Sequence, residues 1–229
     1  NTQQAMTQKS PLLVMIRPAA QSLQTLKVLQ DRLGCVPKFV LNPLMMIEGL
    51  DTDLPPNLSM PFIFTSQNAV TFTTHKTSQR GEVYCVGLKV SELAQKHGFN
   101  VTKVFETAEE MVNSGLPKGC TYLRGKHVSV DFASYSDAQI KEYILYTQQP
   151  LPLMEAALQR MLSGCIIPVY SENLANRLVD CLDGKLNNIT VVCISNKVSK
   201  SLRYLDLGNI ITVPKPTSGA MIDALVMNL

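Results

Sequence analysis

Short apolar runs and amphipathic patterns alternate along most of the chain. The runs are four to seven residues long and rich in Val, Ile, Phe and Tyr, as is typical of buried parallel strands. The segments between them repeat apolar residues at helical spacing, which predicts helices over 90–97, 108–113, 153–162, 173–183, 197–206 and 219–227. This alternation predicts an α/β fold with parallel sheets flanked by helices.

Local signals mark several of the helix ends. Thr107 followed by Glu110 has the sequence of a capping box, in which the two side chains satisfy main-chain N–H groups at a helix start. Gly98 and Gly208 follow helical patterns directly, as glycines do at helix C-termini.

The pattern occurs twice along the chain. Residues 83–91 (VYCVGLKVS) match 191–199 (VVCISNKVS), and 62–69 (FIFTSQNA) match 167–174 (IPVYSENL). Three further pairs keep the same order: 12–17 with 119–124, 39–42 with 143–146, and 107–112 with 217–222. All five offsets fall between 104 and 110 residues, which indicates an internal duplication and therefore two similar lobes.

Two segments break the alternation. Residues 37–47 and 142–150 are extended, bordered by prolines and not followed by an evident helix. We expect them to be a two-stranded β linker that joins the lobes, rather than members of either sheet. The repeat leaves open whether the lobes are sequential or interleaved.

Ligands of parallel α/β sheets bind at the carboxyl ends of strands, where helix N-termini present N–H groups. The repeat places paired polar residues there. Candidate ligand-binding residues are Arg17 with Arg124; Thr65, Ser66, Gln67 and Asn68 with Ser171, Glu172 and Asn173; and Gly87, Leu88 and Lys89 with Ser195, Asn196 and Lys197. The alternative is that the three serines only cap helices. Together, the arginines, lysines and helix ends suit a polyanionic ligand held between two lobes.

Composition narrows the class of protein. The chain has 229 residues and 45% of them are apolar, which excludes a disordered chain. The net charge of +3 is too small to argue for a nucleic-acid or membrane partner. No apolar stretch approaches the ~20 residues of a membrane helix. The first ten residues are polar and lack the apolar core of a signal peptide. We therefore expect a soluble, cytoplasmic protein.

The cysteines point to the same compartment. There are six, without a C-x-x-C pair, and Cys85, Cys165 and Cys193 lie within strand-like runs. This distribution predicts buried free thiols in a reducing cytosol rather than disulfides or a zinc site.

Common catalytic motifs are missing from the sequence. It contains no G-x-S-x-G, H-E-x-x-H, P-loop or G-x-G-x-x-G motif, and its three histidines lie in polar contexts. We therefore expect no cofactor and no metal. An enzyme built this way would work by binding and orienting a reactive substrate.

Several of these motifs, in this order, resemble the uroporphyrinogen-III synthase family. They are Ile63–Val70 (IFTSQNAV), Val83–Gly87 (VYCVG), Thr107–Glu110 (TAEE), Leu123–Gly125 (LRG), Ile194-Ser195 and the terminal helix over 216–225. The opening VMIRP at 14–18 is similar to the start of bacterial members. The resemblance runs from about Leu12 to Leu225, and its specificity lies in order and spacing because each motif is short.

The resemblance implies two interleaved α/β lobes. Residues 1–36 and 151–229 would form lobe 1, residues 48–141 lobe 2, and 37–47 with 142–150 the linker. It also implies a cofactor-independent hydro-lyase that cyclises hydroxymethylbilane, inverts ring D and releases water to give uroporphyrinogen III. That substrate carries many carboxylates. The implied enzyme is a monomer that binds neither nucleic acid nor membrane and makes transient contact with the enzyme that supplies its substrate.

The resemblance also assigns roles to individual residues. Tyr146 matches a linker tyrosine that assists departure of the substrate hydroxyl, and the alternative is a tyrosine that only packs between lobes. Some members carry threonines where this chain has Val90 and Val198. Contacts at those two turns are therefore expected from main-chain N–H groups, with Lys89 and Lys197 in partial compensation.

The sequence leaves two other functional interpretations open. The chain could be a non-catalytic two-lobed binding protein that closes on an anionic metabolite. It could also be an inactive relative of the family, for which the two valines are the main indication.

Overall fold

The computed structural model describes residues 10–128, 130–132 and 139–229. The chain divides into two compact units. Unit 1 comprises Asn1–Met46 and Pro150–Leu229, and unit 2 comprises Ile47–Gln149. Unit 1 is therefore built from two separate stretches of sequence. The polar leader expected over residues 1–10 lies outside the described residues, apart from Ser10.

Strands and helices alternate as the sequence predicts. The strands are β1 (Leu12–Met15), β2 (Phe39–Leu41), β3 (Met45–Gly49), β4 (Phe62–Phe64), β5 (Glu82–Val86), β6 (Asn100–Phe105), β7 (Thr121–Gly125), β8 (Lys141–Pro150), β9 (Cys165–Val169), β10 (Lys185–Cys193) and β11 (Asp206–Thr212). The helices are α1 (Ala19–Leu33), α2 (Gln67–Lys76), α3 (Leu88–Lys96), α4 (Ala108–Asn113), α5 (Glu155–Leu162), α6 (Glu172–Cys181), α7 (Asn196–Leu202) and α8 (Ser218–Asn228). No helix in the described ranges is long and apolar enough to cross a membrane.

Each unit contains one sheet, and the two sheets share an order. The sheet of unit 1 runs β2-β1-β9-β10-β11, and that of unit 2 runs β3-β8-β7-β4-β5-β6. Apart from β3, each position in one sheet is occupied by the repeat partner of the strand in the other: β2 with β8, β1 with β7, β9 with β4, β10 with β5 and β11 with β6. Each sheet therefore combines the first part of one repeat with the second part of the other, which accounts for the interleaving.

The apolar runs are continuous because both faces of each sheet are covered. In β1 and the residue after it, Val14 and Ile16 contribute to one apolar cluster, and Leu13 and Met15 contribute to the cluster on the opposite face. Successive side chains of a strand point to opposite faces, so a strand buried on both sides needs an apolar residue at every position.

The two linker segments pair with each other as expected, since β3 and β8 are neighbours, but contrary to expectation both also contain strands of the sheets. β2 pairs in parallel with β1 in unit 1, with Phe39 opposite Leu13. β8 pairs in parallel with β7 in unit 2, with Lys141 opposite Thr121. An extended segment beside an open strand satisfies its own N–H and C=O groups by joining the ladder. The segments join the units and complete the sheets at the same time.

Gly208 also differs from expectation. It does not cap a helix but lies within β11, and a Cβ at this position would stand 2.0 Å from the main-chain oxygen of Asn187. The register between β10 and β11 shifts at this point, so glycine is required for close approach of the two backbones. The preceding helix, α7, consequently ends at Leu202.

Other local predictions are confirmed. Gly98 follows α3 with a φ of +87°. At α4, the Thr107 hydroxyl accepts from the Glu110 N–H at 3.1 Å, while the Glu110 carboxylate accepts from the N–H of Glu106, one residue before the cap. The six cysteines are free. Cys85, Cys165 and Cys193 are buried, and burial raises the pKa of each thiol to about 12.

Candidate functional site

The strand order locates a binding edge in each unit. Numbered along the repeat, both sheets have the order 2-1-3-4-5, in which the chain changes direction between strands 1 and 3. The carboxyl ends of those two strands open a crevice where doubly wound proteins bind ligands. The strands are β7 and β4 in unit 2, and β1 and β9 in unit 1.

In unit 2 this edge contains Tyr146 of β8. The side chain is 6% exposed, and its hydroxyl lies 2.7 Å from the Ser66 hydroxyl. Ser66 follows β4 and caps α2, because its Oγ accepts from the N–H of Ala69 at 3.1 Å. The alternative that Ser66 caps a helix is therefore confirmed, and its role in ligand binding stays a prediction.

Two glycines leave space for stacked rings, Gly125 for Tyr146 and Gly49 for Phe72. The ring stacks on Phe72 with centroids 5.4 Å apart and an angle of 16° between planes. A Cβ at Gly125 of β7 would lie 2.5 Å from Cζ of Tyr146, and one at Gly49 of β3 would lie 2.7 Å from Phe72. The phenol is thus held by steric contact on its ring and by a hydrogen bond at its hydroxyl.

A second phenol lies at the same edge. The hydroxyl of Tyr122 on β7 is 2.9 Å from the Thr65 hydroxyl. Burial raises the pKa of Tyr122 to about 12, against the opposing effect of the Thr65 hydrogen bond. Burial likewise raises the pKa of Tyr146, and the Ser66 hydrogen bond opposes that shift. Both phenols therefore keep their protons at neutral pH and can donate them.

Arg124 forms an ion pair within unit 2, and its predicted role as a carboxylate ligand stays a prediction. Its Nε lies 3.2 Å from a carboxylate oxygen of Glu142, and both side chains are largely buried, 14% and 23% exposed. The guanidinium also donates to the carbonyl oxygens of Gly125 and Lys126. Its charge is neutralised within the unit.

Helix α3 begins at this edge without a side-chain cap. Its N-cap is Gly87, whose φ of +90° favours glycine. Leu88 is 72% exposed and Lys89 is also exposed, whereas the Val90 side chain packs into the core of unit 2. Of the remaining candidates in unit 2, Gln67 is exposed and Asn68 half-buried in the first turn of α2.

The matching edge of unit 1 is led by Arg17. Its guanidinium lies over the ring of Tyr170, with Cζ 3.8 Å from the centroid. Burial lowers the pKa of Arg17, with Tyr170 acting in the opposite direction. Among the ion pairs within the described ranges, none includes Arg17. Its charge is therefore available to an anion in a way that the charge of Arg124 is not.

The helix starts of unit 1 are capped and partly neutralised. Ser171 accepts from the N–H of Leu174 at 3.2 Å, and Ser195 accepts from the N–H of Val198 at 3.3 Å. Lys197 forms an exposed ion pair with Glu172 at 3.3 Å. The main-chain contact expected at Val198 would use its N–H group, which already donates to the Ser195 hydroxyl. The Val198 side chain is buried. Asn173 and Asn196 are exposed at the first turns of α6 and α7.

Asn42 stands in unit 1 where Tyr146 stands in unit 2. It is buried, its amide nitrogen donates to the carbonyl oxygens of Pro43 and Pro152, and its oxygen accepts from the N–H of Met154. This position therefore has a structural role, and only its counterpart in unit 2 carries a phenol.

Sequence reasoning missed several residues of the unit 2 edge. Tyr122 lies two residues before Arg124 in the strand that supplied that candidate, so its position alone could have indicated it. Phe72, Gly49 and Glu142 carry no such signal, because each contributes only through a contact between elements distant in sequence.

Unit 1 also contains a groove that lies away from these edges. A groove of about 740 Å³ in unit 1 lies at the amino ends of β1 and β9, where Leu12 and Cys165 line it with Lys38 and Arg160. None of the predicted site residues lines this groove.

Within the described residues, no group of three His, Cys, Asp or Glu side chains could hold a metal ion.

Comparison with known proteins identifies the family. The family model for uroporphyrinogen-III synthase HemD matches residues 42–223. No curated protein sequence matches the chain. The structure of uroporphyrinogen-III synthetase from Helicobacter pylori is similar, with a TM-score of 0.64 and 17% identity over 95% of this chain and 99% of that one. A mutant uroporphyrinogen III synthase from Thermus thermophilus is similar with a TM-score of 0.57 and 14% identity, covering 96% and 98%. These two structures support the fold. Because the family model covers most of its length, the chain belongs to the uroporphyrinogen-III synthase family.

Proposed function

We propose that the chain is a uroporphyrinogen-III synthase, which cyclises hydroxymethylbilane with inversion of ring D and loss of water. The observation that carries the proposal is the family match over residues 42–223, which includes Tyr146 and the strand ends around it. Within the lyase chemistry of the family, the proposed enzyme is a hydro-lyase that uses no cofactor.

Tyr146 is the catalytic residue of this proposal. Loss of the substrate hydroxyl produces a reactive azafulvene, so the enzyme needs a donor near the leaving oxygen and a surface that orients the chain for attack at the substituted carbon of ring D. A buried phenol, fixed between Phe72 and Gly125 and protonated at neutral pH, supplies such a donor.

The cations and helix starts are proposed to bind the substrate carboxylates. Arg17 is the strongest candidate, because a guanidinium held flat on Tyr170 and outside the ion pairs of the described residues can fork onto a carboxylate. The uncapped start of α3 at Gly87, with Leu88 and Lys89, offers a second position in unit 2. Thr65, Gln67, Asn68, Ser171, Asn173, Ser195 and Asn196 complete the proposed set. Arg124, Glu172 and Lys197 would act within their ion pairs, and Val90 and Val198 through the main chain.

The surroundings of the enzyme are part of the proposal. We expect it to act in the cytoplasm as a monomer and to meet the enzyme that releases its substrate only transiently. Sedimentation equilibrium of the full chain, alone and with that enzyme, measures the oligomeric state and the strength of the contact.

An isomer assay tests the function. Freshly generated hydroxymethylbilane is supplied to the protein, the products are oxidised, and the type I and type III porphyrins are separated by chromatography. We expect predominantly type III. Type I alone, formed at the rate seen without protein, would contradict the proposal and favour a binding protein or an inactive relative.

A further inference from the structure

We propose that Ser66 is a positioning residue that directs the Tyr146 proton toward the substrate. The Ser66 hydroxyl donates to the phenolic oxygen, so that the phenolic proton points away from Ser66. This inference rests on the proposed function for its role in turnover. The polarity of the hydrogen bond is a property of the ligand-free protein.

The capping bond of α2 occupies one acceptor position of the Ser66 oxygen and thereby favours this polarity. Ser66 Oγ accepts from the Ala69 N–H at 3.1 Å, and its remaining proton needs an acceptor. The Tyr146 hydroxyl, 2.7 Å away, is the hydrogen-bond acceptor that the described residues provide for it. An oxygen that already accepts a hydrogen bond donates more strongly, because hydrogen bonds in a chain polarise one another.

Steric contacts prevent the phenol from leaving this arrangement. Phe72 covers one face of the ring, and the Gly125 backbone lies where a Cβ would be only 2.8 Å from the hydroxyl. Lys126 also donates its N–H to the Tyr146 carbonyl at 2.9 Å, which fixes the backbone beneath the ring. With its oxygen held by Ser66, the phenol keeps one free direction for its own proton.

The helix start adds an electrostatic contribution. Ser66 is the N-cap of the ten-residue α2, whose positive end favours negative charge on a nearby oxygen. As the substrate C–O bond breaks with its electron pair on oxygen, the phenolic proton completes a water molecule. Ser66 then stabilises the phenolate by donating to it. Ring closure releases one proton from the pyrrole carbon, and this proton restores the phenol.

The ionisable groups around Tyr146 limit other causes of such an effect. Tyr122 on β7 interacts with Tyr146 electrostatically, and Arg124 with Glu142 lies beside Tyr122 as a neutralised pair. Lys126 is exposed and follows Gly125 directly. None of these groups is altered by a substitution at Ser66.

The test measures the acidity of residue 146 directly. 3,5-Difluorotyrosine, whose phenol titrates near neutral pH, is incorporated at position 146 and followed by fluorine NMR in the ligand-free protein. We expect Ser66→Ala to raise its pKa by about one unit, because the phenolate loses a charged hydrogen bond. Ser66→Thr retains the hydroxyl and should leave the pKa near that of the parent. Ser66→Gly removes the hydroxyl at little cost to the helix cap and should match Ser66→Ala if the alanine variant folds poorly.

Thr107→Ala is the matched structural control. Thr107 caps α4 in the same unit with the same 3.1 Å hydrogen bond, and within the described ranges its hydroxyl has no tyrosine partner. It should lower stability about as much as Ser66→Ala without shifting the pKa of residue 146. An unchanged pKa in both Ser66→Ala and Ser66→Gly, or an equal shift in Thr107→Ala, would overturn the inference.

Kinetics separate this inference from the proposed function. Formation of type III should slow about tenfold in Ser66→Ala, and Ser66→Ala should cause no further loss when Tyr146 is already phenylalanine. Additive losses would overturn the coupling of the two residues. If the unmodified protein forms only type I while Ser66→Ala still shifts the pKa, the proposed function fails and the hydrogen-bond polarity stands.

Discussion

The two units present the same strand order with different side chains at the binding edge. In unit 2 the second strand of the repeat carries Tyr146, bonded to a helix-capping serine and enclosed by Phe72 and Gly125. In unit 1 the equivalent strand is followed by Asn42, which is occupied with main-chain groups. The first strands differ in the opposite sense, because Arg124 is neutralised by Glu142 and Arg17 is not part of an ion pair within the described residues.

Under the proposed function, this difference means that the duplicated edges have taken different roles. Unit 2 keeps a fixed proton donor and a helix start without a side-chain cap at Gly87. Unit 1 keeps an available guanidinium beside helix starts that Ser171 and Ser195 already cap. A duplicated fold supplies two equivalent edges, and substitutions at a few positions decide which one does chemistry and which one binds.

Among the variants that keep Tyr146, the largest effect is expected from Gly125→Ala. The added Cβ would meet the Tyr146 ring at 2.5 Å and displace its hydroxyl from Ser66. Type III formation should fall about 100-fold, because a displaced proton donor loses its catalytic contribution. Quenched-flow analysis of the porphyrin isomers measures this loss.

Gly81→Ala is the matched control for the added methyl group. Its Cβ would approach the flexible side chain of Met60 to 2.9 Å, and the three nearest atoms all belong to Met60 rather than to Tyr146. The control should form type III at nearly the parent rate. Equal losses in the two variants would mean that the close packing of Gly125 has no special link to catalysis.

The next effect concerns the two arginines. Arg17→Ala should weaken binding of uroporphyrinogen III by about 1–3 kcal/mol, or roughly 5- to 150-fold, because it removes a charged hydrogen-bond donor. Arg124→Ala should weaken binding less and lower the free energy of unfolding more, since it leaves Glu142 largely buried without its partner. Anaerobic calorimetry and urea unfolding measure the two quantities, and the reverse order of effects would refute the assignment.

The smallest effect on activity is expected from Asn42→Ala, which should act on stability. The variant loses three hydrogen bonds of a buried amide to Pro43, Pro152 and Met154. We expect a loss of about 1–3 kcal/mol in the free energy of unfolding, as for main-chain groups left without partners. Urea unfolding measures it, and a stability equal to that of the parent would show that the amide has no structural role.

The sequence predicted most of the architecture for a physical reason. A strand buried on both faces needs a continuous apolar run, and a duplication repeats that run at a fixed offset. The strands and their equivalence could therefore be predicted from the sequence. The sheet membership of β2 and β8 was not, because short, proline-bordered segments join a sheet only where a neighbouring strand leaves an open edge. Gly208 misled for a similar reason, since its need for glycine arises from Asn187 on another strand.

The sequence predicted where candidate residues lie along the strands and helices, but it did not predict which side chains they contact. The repeat predicted that Ser66 and both arginines lie at strand ends, where the structure places them, and Tyr146 was singled out by the family resemblance alone. It could not indicate that Glu142 neutralises Arg124, that Lys197 pairs with Glu172, or that Phe72 and two glycines hold the phenol. These facts depend on distances between elements, which no pattern along the chain records.

The most direct test of the account is the porphyrin isomer ratio formed by Tyr146→Phe beside Tyr143→Phe. Tyr143 lies on the same strand and is the matched loss of a phenolic hydroxyl. With freshly generated hydroxymethylbilane, Tyr143→Phe should form type III at close to the parent rate. Tyr146→Phe should form type III more slowly by a factor of about 100 or more, while type I accumulates through the reaction that needs no enzyme. Undiminished formation of type III by Tyr146→Phe would contradict the account.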